Sequence, residues 1–472
     1  TDKESRRAWR KSAARVHFDN ERLKSKRLQV MKVMHLAGKF EHDKIWFPAS
    51  LDFRGREYPI PYFLQPQGPE WAKSLLSFSR TEKITDEGII WLYIHAASRW
   101  GLDKESYAER IKWAEQNLDM IRRIGESPVS DMTWADADEP WSFVRACMEI
   151  SRLHKEGSGF RTSLPVSMDA TNQGLQIYSM VLRDPAAARA TNVIPSAIPQ
   201  DVYRQVADRV REKLYEDDEP YGTIWLDFGI DRKTTKRQTM TLCYGSTFFS
   251  CRSYTAEWFY DRLKLGKVNP FGEETYKPCN YLAGKIWESI GEVVESAQVG
   301  MDWLRSCASL FVEHEITPRW TTPLGFPVKM HYENTSKYSI KTLVGGVIRQ
   351  HRLRLPNGAT NKRKTINAIC PNWIHSLDGL GGLLGHTVNR AVSYGTQSIM
   401  PTHDCISVLA TQADVMHQSV REATVEIFSE NQLSILANQL EAQLPSGVSL
   451  PSLPNMGKLL IDDVLTSKYY FN

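Results

Sequence analysis

Two aspartates that lie far apart in the chain each stand in a short stretch typical of a β-strand. Asp169 ends the stretch 164–169, and Asp404 lies within the stretch 398–409. The chain between them is mostly helical in pattern, so each strand needs a partner and the other is the natural one. Carboxylates on neighbouring strands could hold two divalent cations about 3.5–4 Å apart, an arrangement used for in-line phosphoryl transfer. Taken alone, either aspartate is more typical of a turn or cap.

A second group of side chains could receive a polyphosphate. Arg232 and Lys236 are four residues apart and would share one face of a helix, and Tyr244 follows two turns later. A guanidinium and an ammonium on one face offer the fixed positive charge that stabilises phosphoryl transfer. Tyr244 would then lie over the sugar or base of a nucleotide. Without the aspartates, this pattern is more typical of an exposed basic helix.

Composition and length are those of a globular protein with two or more subdomains. The 472 residues are 42% hydrophobic and 24% charged, with a net charge of +4. No apolar run approaches the ~18 residues that cross a bilayer, so no membrane partner is expected. Seven scattered cysteines without a CxxC pair argue against a disulfide framework or zinc site and favour a reducing compartment. Basic residues cluster in 1–30 and 341–364, which indicates a nucleic-acid partner better than the net charge does.

Five short motifs resemble those of the single-subunit, phage-type DNA-directed RNA polymerases, a family that includes mitochondrial enzymes. They stand in the family's order, at 52–56, 169–176, 232–245, 371–376 and 403–404. The segment 232–245 is similar to the family's fingers helix, and 169–176 and 403–404 resemble its two palm motifs. The segment 52–56 resembles its template-contacting element, and 371–376 the segment whose histidine lies against the incoming nucleotide. The likeness runs over essentially the whole chain.

Three positions separate this chain from the family A DNA polymerases of the same superfamily. Those enzymes usually carry a bulky glutamate five residues after the first metal aspartate, where this chain has Gly174. They also carry an aromatic residue four positions after the fingers lysine, where this chain has Met240. Their second palm motif usually reads His-Asp-Glu, whereas Cys405 follows Asp404 here. All three departures favour ribonucleotides as substrates.

The resemblance implies a role for each motif residue. Two Mg²⁺ ions would be held by Asp169, Asp404 and the backbone carbonyl of Ala170, and Lys236 would act as a catalytic residue that protonates the leaving group. Nucleotide binding is implied for Arg232, Lys236, Tyr244, His375 and Tyr203, with the Tyr244 hydroxyl and His375 selecting the 2′-hydroxyl. Template or hybrid binding is implied for Arg54, Arg56 and Gly245. Promoter binding is implied for Lys337, Lys341 and Arg349.

The expected fold is α+β and mostly helical: a right-hand polymerase palm with a small antiparallel sheet and inserted helical fingers, lacking the family's N-terminal domain and most of the thumb. Residues 1–40 are expected to be a basic helical segment from thumb to palm, and 41–197 the first part of the palm. Residues 198–375 would form the fingers, with a promoter-specificity-like hairpin near 332–356 that turns at 344–347. Residues 376–472 would complete the palm and form a C-terminal foot.

The predicted function is DNA-templated RNA synthesis: nucleotidyl transfer from an NTP to an RNA 3′-hydroxyl with release of pyrophosphate. DNA template, nascent RNA and NTPs are the expected partners. The chain is expected to be a fragment or the catalytic chain of a split enzyme, with a second polypeptide supplying the N-terminal domain and thumb. The expected location is the cytoplasm of a phage-infected bacterium, or alternatively a mitochondrion.

Three alternatives stay open at the level of sequence. A family A DNA polymerase or primase-like enzyme would incorporate dNTPs in preference to rNTPs. A nucleic-acid-binding module without catalysis would be unaffected by Asp404→Asn. An unrelated hydrolase with paired carboxylates would make the Arg232 and Lys236 pattern accidental. The glycine-rich stretch 379–385 lacks the GK[ST] ending of a phosphate-binding P-loop and is interpreted as close helix packing.

Overall fold

A long basic helix, α1 (Lys3–Lys39), opens the structure and is mostly exposed along its length. The structure is a computed structural model that describes residues 2–472, apart from the side chains of residues 4, 8 and 11. The end of α1 is anchored where Val33 is buried with Leu64, Ala72 and Leu76 in a small separate cluster. The helix predicted for residues 1–40 is confirmed, and its assignment as a thumb-to-palm segment stays a prediction.

Short strands and helices lead from α1 to the central sheet. In chain order they are β1 (Ala49–Leu51), β2 (Glu57–Pro59), α2 (Glu70–Lys73), β3 (Glu82–Lys83), α3 (Asp86–Ala97), α4 (Tyr107–Gln116), α5 (Leu118–Glu126), α6 (Pro140–Glu156), β4 (Arg161–Thr162) and β5 (Pro165–Asp169). A single π-helical turn, Ser98–Leu102, continues α3. Strand β1 pairs with β2 and β3 with β4, each antiparallel.

The long middle of the chain is helical up to two hairpins, a small one and a long one. Its helices are α7 (Gln173–Val181), α8 (Pro185–Ala190), α9 (Val202–Glu216), α10 (Pro220–Phe228), α11 (Arg232–Leu242), α12 (Phe248–Lys264), α13 (Tyr276–Val293) and α14 (Glu295–Glu313). The hairpins are β6 (Arg319–Thr321) with β7 (Pro327–Lys329) and β8 (Glu333–Val344) with β9 (Val347–Thr360). Helices α9, α11, α12 and α13 pack on one another around Trp225, Phe259 and Ile286, all fully buried.

The last part of the chain returns to the central sheet. It consists of α15 (Lys362–Asp378), α16 (Leu383–Ser393), β10 (Ile399–Thr402), β11 (Cys405–Leu409), α17 (Ala413–Phe428) and α18 (Gln432–Glu441), followed by a 3-10 turn at Ile461–Thr466. The mostly helical α+β architecture with small antiparallel sheets is therefore confirmed.

The central sheet joins the two stretches that carry the predicted metal aspartates. Its strand order is β10-β11-β5, antiparallel throughout, and Cys405 pairs with Asp169. Because side chains alternate along a strand, Met168 and Ile406 face the core and are buried, whereas Asp169 and Cys405 share the opposite face. The predicted pairing of these two stretches is confirmed.

A long two-stranded ribbon, β8–β9, projects with nearly all of its side chains exposed. A hairpin lies where one was predicted near 332–356, with its pairing running from Glu333 to Thr360, and its assignment as a promoter-specificity element stays a prediction. Val344 pairs with Val347, and the two residues between them, Gly345 and Gly346, have φ of +58° and +79°. Two consecutive positive φ values are what a tight hairpin turn of this twist requires, and glycine adopts them without steric cost. Among residues 2–472, no helix has the length and apolar character needed to cross a membrane.

Two helical glycines should respond oppositely to alanine. A Cβ at Gly125 in α5 would lie 2.2 Å from the carbonyl oxygen of Cys147 in α6, whereas a Cβ at Gly284 in α13 would meet nothing within 4 Å. We expect Gly125→Ala to lower the free energy of unfolding by about 1–3 kcal/mol through overpacking. Gly284→Ala should raise it by up to about 1 kcal/mol through helix propensity. Denaturant unfolding of both variants tests this, and equal signs for the two changes would contradict the packing described here.

Candidate active site

The two predicted metal aspartates lie side by side. Asp169 is the last residue of β5, and Asp404 lies in the two-residue turn between β10 and β11. The backbone N–H of Ala170 donates to the carbonyl oxygen of Asp404 at 3.0 Å, so the ends of the two segments are hydrogen-bonded together. The convergence predicted from two distant stretches of sequence is confirmed.

The turn that carries Asp404 has an unusual backbone. His403, its first residue, has φ of +59°, in the left-handed region that side-chain-bearing residues rarely occupy. Such a conformation costs on the order of 1–3 kcal/mol and persists only where surrounding contacts hold it. One such contact is the edge-on packing of the His403 ring against Tyr58, with centroids 4.9 Å apart. The turn is thereby held in the geometry that places Asp404 beside Asp169.

The two carboxylates oppose each other's ionisation. Burial raises the pKa of Asp169 and the neighbouring charge of Asp404 raises it further, against the opposing effects of Arg99, Lys104 and Lys73. Part of the Asp169 side chain is open to solvent, although protein atoms and the charge of Asp404 lie around it. Burial likewise raises the pKa of Asp404, with Arg56 opposing the shift. A divalent cation between the carboxylates would relieve this repulsion.

The donor set suits a hard cation that keeps ligands of its own. Within residues 2–472, no group of three or more His, Cys, Asp and Glu side chains is gathered closely enough to hold a metal. Mg²⁺ commonly takes one or two carboxylates from the protein and fills its remaining positions with water and substrate phosphates. The pair Asp169 and Asp404 therefore fits a magnesium site that is completed by substrate.

The last residues of the sequence fasten the end of β5. The N–H of Asp169 donates to the carbonyl oxygen of Asn472 at 3.1 Å, and the N–H of Asn472 donates back to Asp169 at 3.0 Å. The side-chain oxygen of Asn472 accepts a hydrogen bond from the fully buried Arg110 at 2.9 Å. Asp169 is thus held between β11 on one side and this tail on the other.

The predicted phosphate-binding residues lie on α11. Asp231 caps this helix together with Thr234, which fixes where its first turn begins. Arg232 forms an ion pair with the buried carboxylate of Asp201, and its guanidinium lies 5.2 Å from the centre of the Tyr203 ring. These contacts orient Arg232 at the start of the helix.

Lys236 lies one turn further along α11 than Arg232. Partial burial lowers the pKa of Lys236, and the positive charge of Arg232 adds to that effect. The charges of Asp103 and Asp169 oppose the shift, which places Lys236 within electrostatic range of the predicted metal centre. A role for this helix in receiving a triphosphate opposite the two aspartates stays a prediction.

Tyr244, Gly174 and His375 meet at the other end of α11. The Tyr244 and His375 rings have centroids 4.9 Å apart. A Cβ added to Gly174 would lie 3.4 Å from the Tyr244 hydroxyl and 2.9 Å from the Cβ of Cys243. Gly245, whose φ is +82°, ends the turn that holds Tyr244, and a Cβ there would come within 3.1 Å of the Asn367 carbonyl oxygen. The small residue at position 174 therefore leaves room for the tyrosine hydroxyl.

His375 is neutral, and its tautomer is fixed by its neighbours. Burial lowers the pKa of His375 to about 2, and the positive charges of Arg56 and Arg54 add to that effect. The Nη1 of Arg54 lies 2.6 Å from Nδ1 of the ring. Because a guanidinium only donates, Nδ1 must accept and the ring hydrogen must be on Nε2. The free edge of His375 is therefore a hydrogen-bond donor.

The two arginines expected to contact template have partners inside the protein. Arg54 donates to Asp52 through Nε at 2.8 Å and Nη2 at 2.5 Å. Arg56 donates to the buried carboxylate of Asp378 through Nε at 2.8 Å and Nη2 at 2.5 Å. The template contacts of both arginines stay predictions, and the structure adds an internal role for each.

Tyr203 also has an internal role. Its side chain is buried, and its hydroxyl accepts a hydrogen bond from Asn172 at 3.2 Å and donates to the Thr171 carbonyl at 3.4 Å. The ring supports Arg232 from beneath. A direct contact of Tyr203 with a nucleotide sugar stays a prediction.

Sequence reasoning missed several charged residues around the site. Three of them, Lys73, Arg99 and Lys104, are cations whose charges act on Asp169. The other two are acids: Asp201 pairs with Arg232, and Asp378 pairs with Arg56. None of these residues lies at a helical or strand spacing in the sequence from the residue on which it acts. Asp201 had one recognisable signal, since it caps α9 directly before Tyr203.

The three residues expected to contact promoter DNA do not lie on one face of the β8–β9 ribbon. Lys337 and Lys341 alternate onto one face together with the cross-strand residues Arg354 and Gln350. Arg349 pairs with Thr342 and so points to the opposite face. The face of each residue follows from the pairing register, which the sequence does not reveal, and the promoter contacts of all three residues stay predictions.

Comparison with known proteins is consistent with this geometry. Residues 82–449 match the family model for DNA-dependent RNA polymerase. T7 RNA polymerase of Escherichia phage T7 is 32% identical over an alignment that covers 98% of this chain and 57% of that protein. The DNA-directed RNA polymerase of Enterobacteria phage T3 is 31% identical over an alignment that covers 100% of this chain and 58% of that protein.

A plant mitochondrial enzyme extends the comparison beyond phages. DNA-directed RNA polymerase 1 of Arabidopsis thaliana mitochondria is 28% identical over 100% of this chain and 48% of that protein. The chain thus spans roughly half the length of the relatives it matches. Since the family model covers well over half of the chain, the protein belongs to the DNA-dependent RNA polymerase family.

Proposed function

We propose that this chain carries the catalytic centre of a DNA-directed RNA polymerase. The observation that carries the proposal is the adjacency of Asp169 and Asp404 opposite the cationic side of α11, with Tyr244 and His375 at its far end. The reaction is nucleotidyl transfer from an NTP to an RNA 3′-hydroxyl, with release of pyrophosphate. In this interpretation the central sheet is the palm and the helices around α11 are the fingers.

The carboxylates of Asp169 and Asp404, with the Ala170 carbonyl, would hold two Mg²⁺ ions. Bound magnesium would lower the pKa of the RNA 3′-hydroxyl and stabilise the charge on the phosphates and the leaving pyrophosphate. The protein contributes the rigid turn at His403 and the paired end of β5, which keep the two carboxylates at a fixed separation before substrate arrives.

Arg232 and Lys236 would bind the triphosphate. Arg232 exchanges or shares its bond with Asp201 when phosphate oxygens approach, and Lys236 can donate a proton to the leaving pyrophosphate. The Tyr244 hydroxyl and the Nε2–H of His375 would select the 2′-hydroxyl of the ribose. A deoxynucleotide would leave one of these polar groups unpaired.

Promoter-specific initiation would need protein surface beyond this chain, since the relatives are nearly twice as long. A second polypeptide or a longer form of the same chain could supply it. The template roles of Arg56 and Gly245, and the location in an infected bacterium or a mitochondrion, belong to the same proposal. The relatives come from phages and from a plant mitochondrion.

Extension of a preformed RNA on a single-stranded DNA template tests the reaction. We expect the chain to add rNTPs in the presence of Mg²⁺ and to prefer them to dNTPs. Asp404→Asn should lower the rate by a factor on the order of 10²–10³, because the substitution removes a charged ligand from the catalytic centre. The exposed Asp462→Asn is the matched control and should leave the rate unchanged.

Two of the alternatives make different predictions in the same assay. Faster incorporation of dNTPs would favour a DNA polymerase. An absence of extension by the unsubstituted chain, with scaffold binding retained, would favour a binding module without catalysis.

Removing one carboxylate should stabilise the metal-free protein. The raised pKa of Asp169 means that ionisation at pH 8 costs more in the folded state than in the unfolded chain. We therefore expect Asp169→Asn to unfold at a higher temperature than the wild type in EDTA at pH 8. The difference should shrink as the pH falls toward the ordinary pKa of aspartate. Thermal unfolding with and without Mg²⁺ measures both effects.

In the presence of magnesium, the wild type should instead unfold at a higher temperature than Asp169→Asn. Magnesium should raise the unfolding temperature of the wild type far more than that of Asp169→Asn, which lacks one of the two charges. Equal stabilisation of both proteins by Mg²⁺ would exclude Asp169 as a ligand.

The two faces of the β8–β9 ribbon should differ in DNA binding. We expect Lys341→Ala, on the basic face, to weaken binding to duplex DNA and to reduce the slope of log K against log salt by about 1. Arg349→Ala removes the same charge from the opposite face and should change neither quantity. Fluorescence anisotropy across a salt series measures both. Equal losses of DNA affinity in the two variants would show that binding does not depend on which face of the β8–β9 ribbon carries the charge.

A further inference from the structure

We infer that Asp52 and Arg54 are positioning residues that fix the tautomer and orientation of His375, and so set the preference for ribose over deoxyribose. This inference deepens the proposed function and rests on it. It gives Arg54 a different main role from the template contact that the sequence resemblance implies.

The contacts form a continuous path from a carboxylate to the imidazole. Asp52 accepts from Nε and Nη2 of Arg54, and Nη1 of the same guanidinium reaches Nδ1 of His375 at 2.6 Å. Nη2 also lies 3.4 Å from the Tyr58 hydroxyl. Each of the three nitrogens of the planar guanidinium therefore donates to a protein partner. This leaves Arg54 poorly placed to bind a phosphate.

The backbone around Arg54 is closed into a rigid turn. One oxygen of Asp52 accepts from the backbone N–H groups of Arg54 at 2.9 Å and Arg56 at 3.1 Å. The N–H of Asp52 donates to the Arg56 carbonyl at 2.9 Å, and Gly55 at the centre has φ of +89°. The direction in which Arg54 leaves the turn is thus set by the same carboxylate that holds its guanidinium.

This turn is docked directly on the segment that carries His375. The Gly55 carbonyl accepts from the N–H of Leu380 at 2.9 Å, just beyond the end of α15. Arg56 reaches the last residue of that helix through its paired bonds with Asp378. Two independent attachments therefore hold Arg54 at a constant distance from the His375 ring.

Fixing the tautomer has a direct chemical consequence. With Nδ1 accepting from Arg54, the opposite edge of the ring presents Nε2–H, a donor that suits a ribose hydroxyl oxygen. Without Arg54 the neutral ring would be free to place its hydrogen on Nδ1, which turns the free edge into an acceptor, or to rotate. The His375 ring would then stack on Tyr244 with no defined donor toward the sugar.

Single-nucleotide extension by the full chain on an RNA–DNA scaffold tests the inference. The readout is the ratio of kcat/KM for an rNTP to that for the matching dNTP. We expect Arg54→Met to lower this ratio about tenfold, the effect of losing one oriented hydrogen bond. Asp52→Asn keeps an oxygen for the backbone N–H groups but removes the charge, and should give a smaller loss. Arg80→Met, an exposed arginine, is the matched control.

A double substitution separates positioning from a general structural effect. If Arg54 acts through His375, Arg54→Met combined with His375→Ala should select no worse than His375→Ala alone. A multiplicative loss in the double variant would overturn the inference. So would an unchanged ratio in Arg54→Met with weaker, more salt-dependent scaffold binding, the result expected of a phosphate contact.

The tautomer itself gives a readout that does not depend on activity. In ¹⁵N-histidine spectra of the full chain, the signals lost in His375→Ala identify this residue. They should report hydrogen on Nε2 in the wild type and a mixture of tautomers in Arg54→Met. Unchanged His375 signals in Arg54→Met would refute the positioning role even if the chain extended no RNA. Absence of extension by the wild type alone would instead count against the proposed function.

Discussion

The antiparallel pairing of β5 with β11 is the contact on which the site depends. Its register sets Asp169 opposite Cys405 and so brings two like charges together at one end of the sheet. A slip of one residue would turn Asp169 toward the core and expose Met168 in its place. The buried side chains on the core face, among them Val166 and Val408, make that slip costly. Hydrophobic burial thus maintains an electrostatically unfavourable pair.

Charged side chains around the site are held by other charged side chains before any substrate is present. Asp201 holds Arg232, Asp52 holds Arg54, and the buried Asp378 holds Arg56. Each arginine keeps a defined direction at the cost of part of its capacity to bind an external phosphate. Lys236, which forms no ion pair within residues 2–472, is the more available cation. The three arginines are therefore oriented by internal partners, whereas the lysine is available to bind a phosphate.

Local features were predictable from the sequence, and long-range partners were not. The two strands, the helix with Arg232 and Lys236, and the turn at Gly345–Gly346 each follow from a pattern within a few residues. The ion pair of Arg56 with Asp378 joins residues 322 positions apart and has no local pattern. The face on which Arg349 lies was likewise not predictable, since it follows from cross-strand register.

About half the length of the chain separates Asp169 from Asp404, which has a consequence for how the molecule is made. Such a distant pairing closes slowly, because the intervening helices must order first. During synthesis β5 leaves the ribosome long before β11, and its hydrogen-bonding groups wait without their strand partner. An unpaired edge of this kind invites association with other chains. The time that β5 spends without its strand partner should therefore influence the yield of soluble protein.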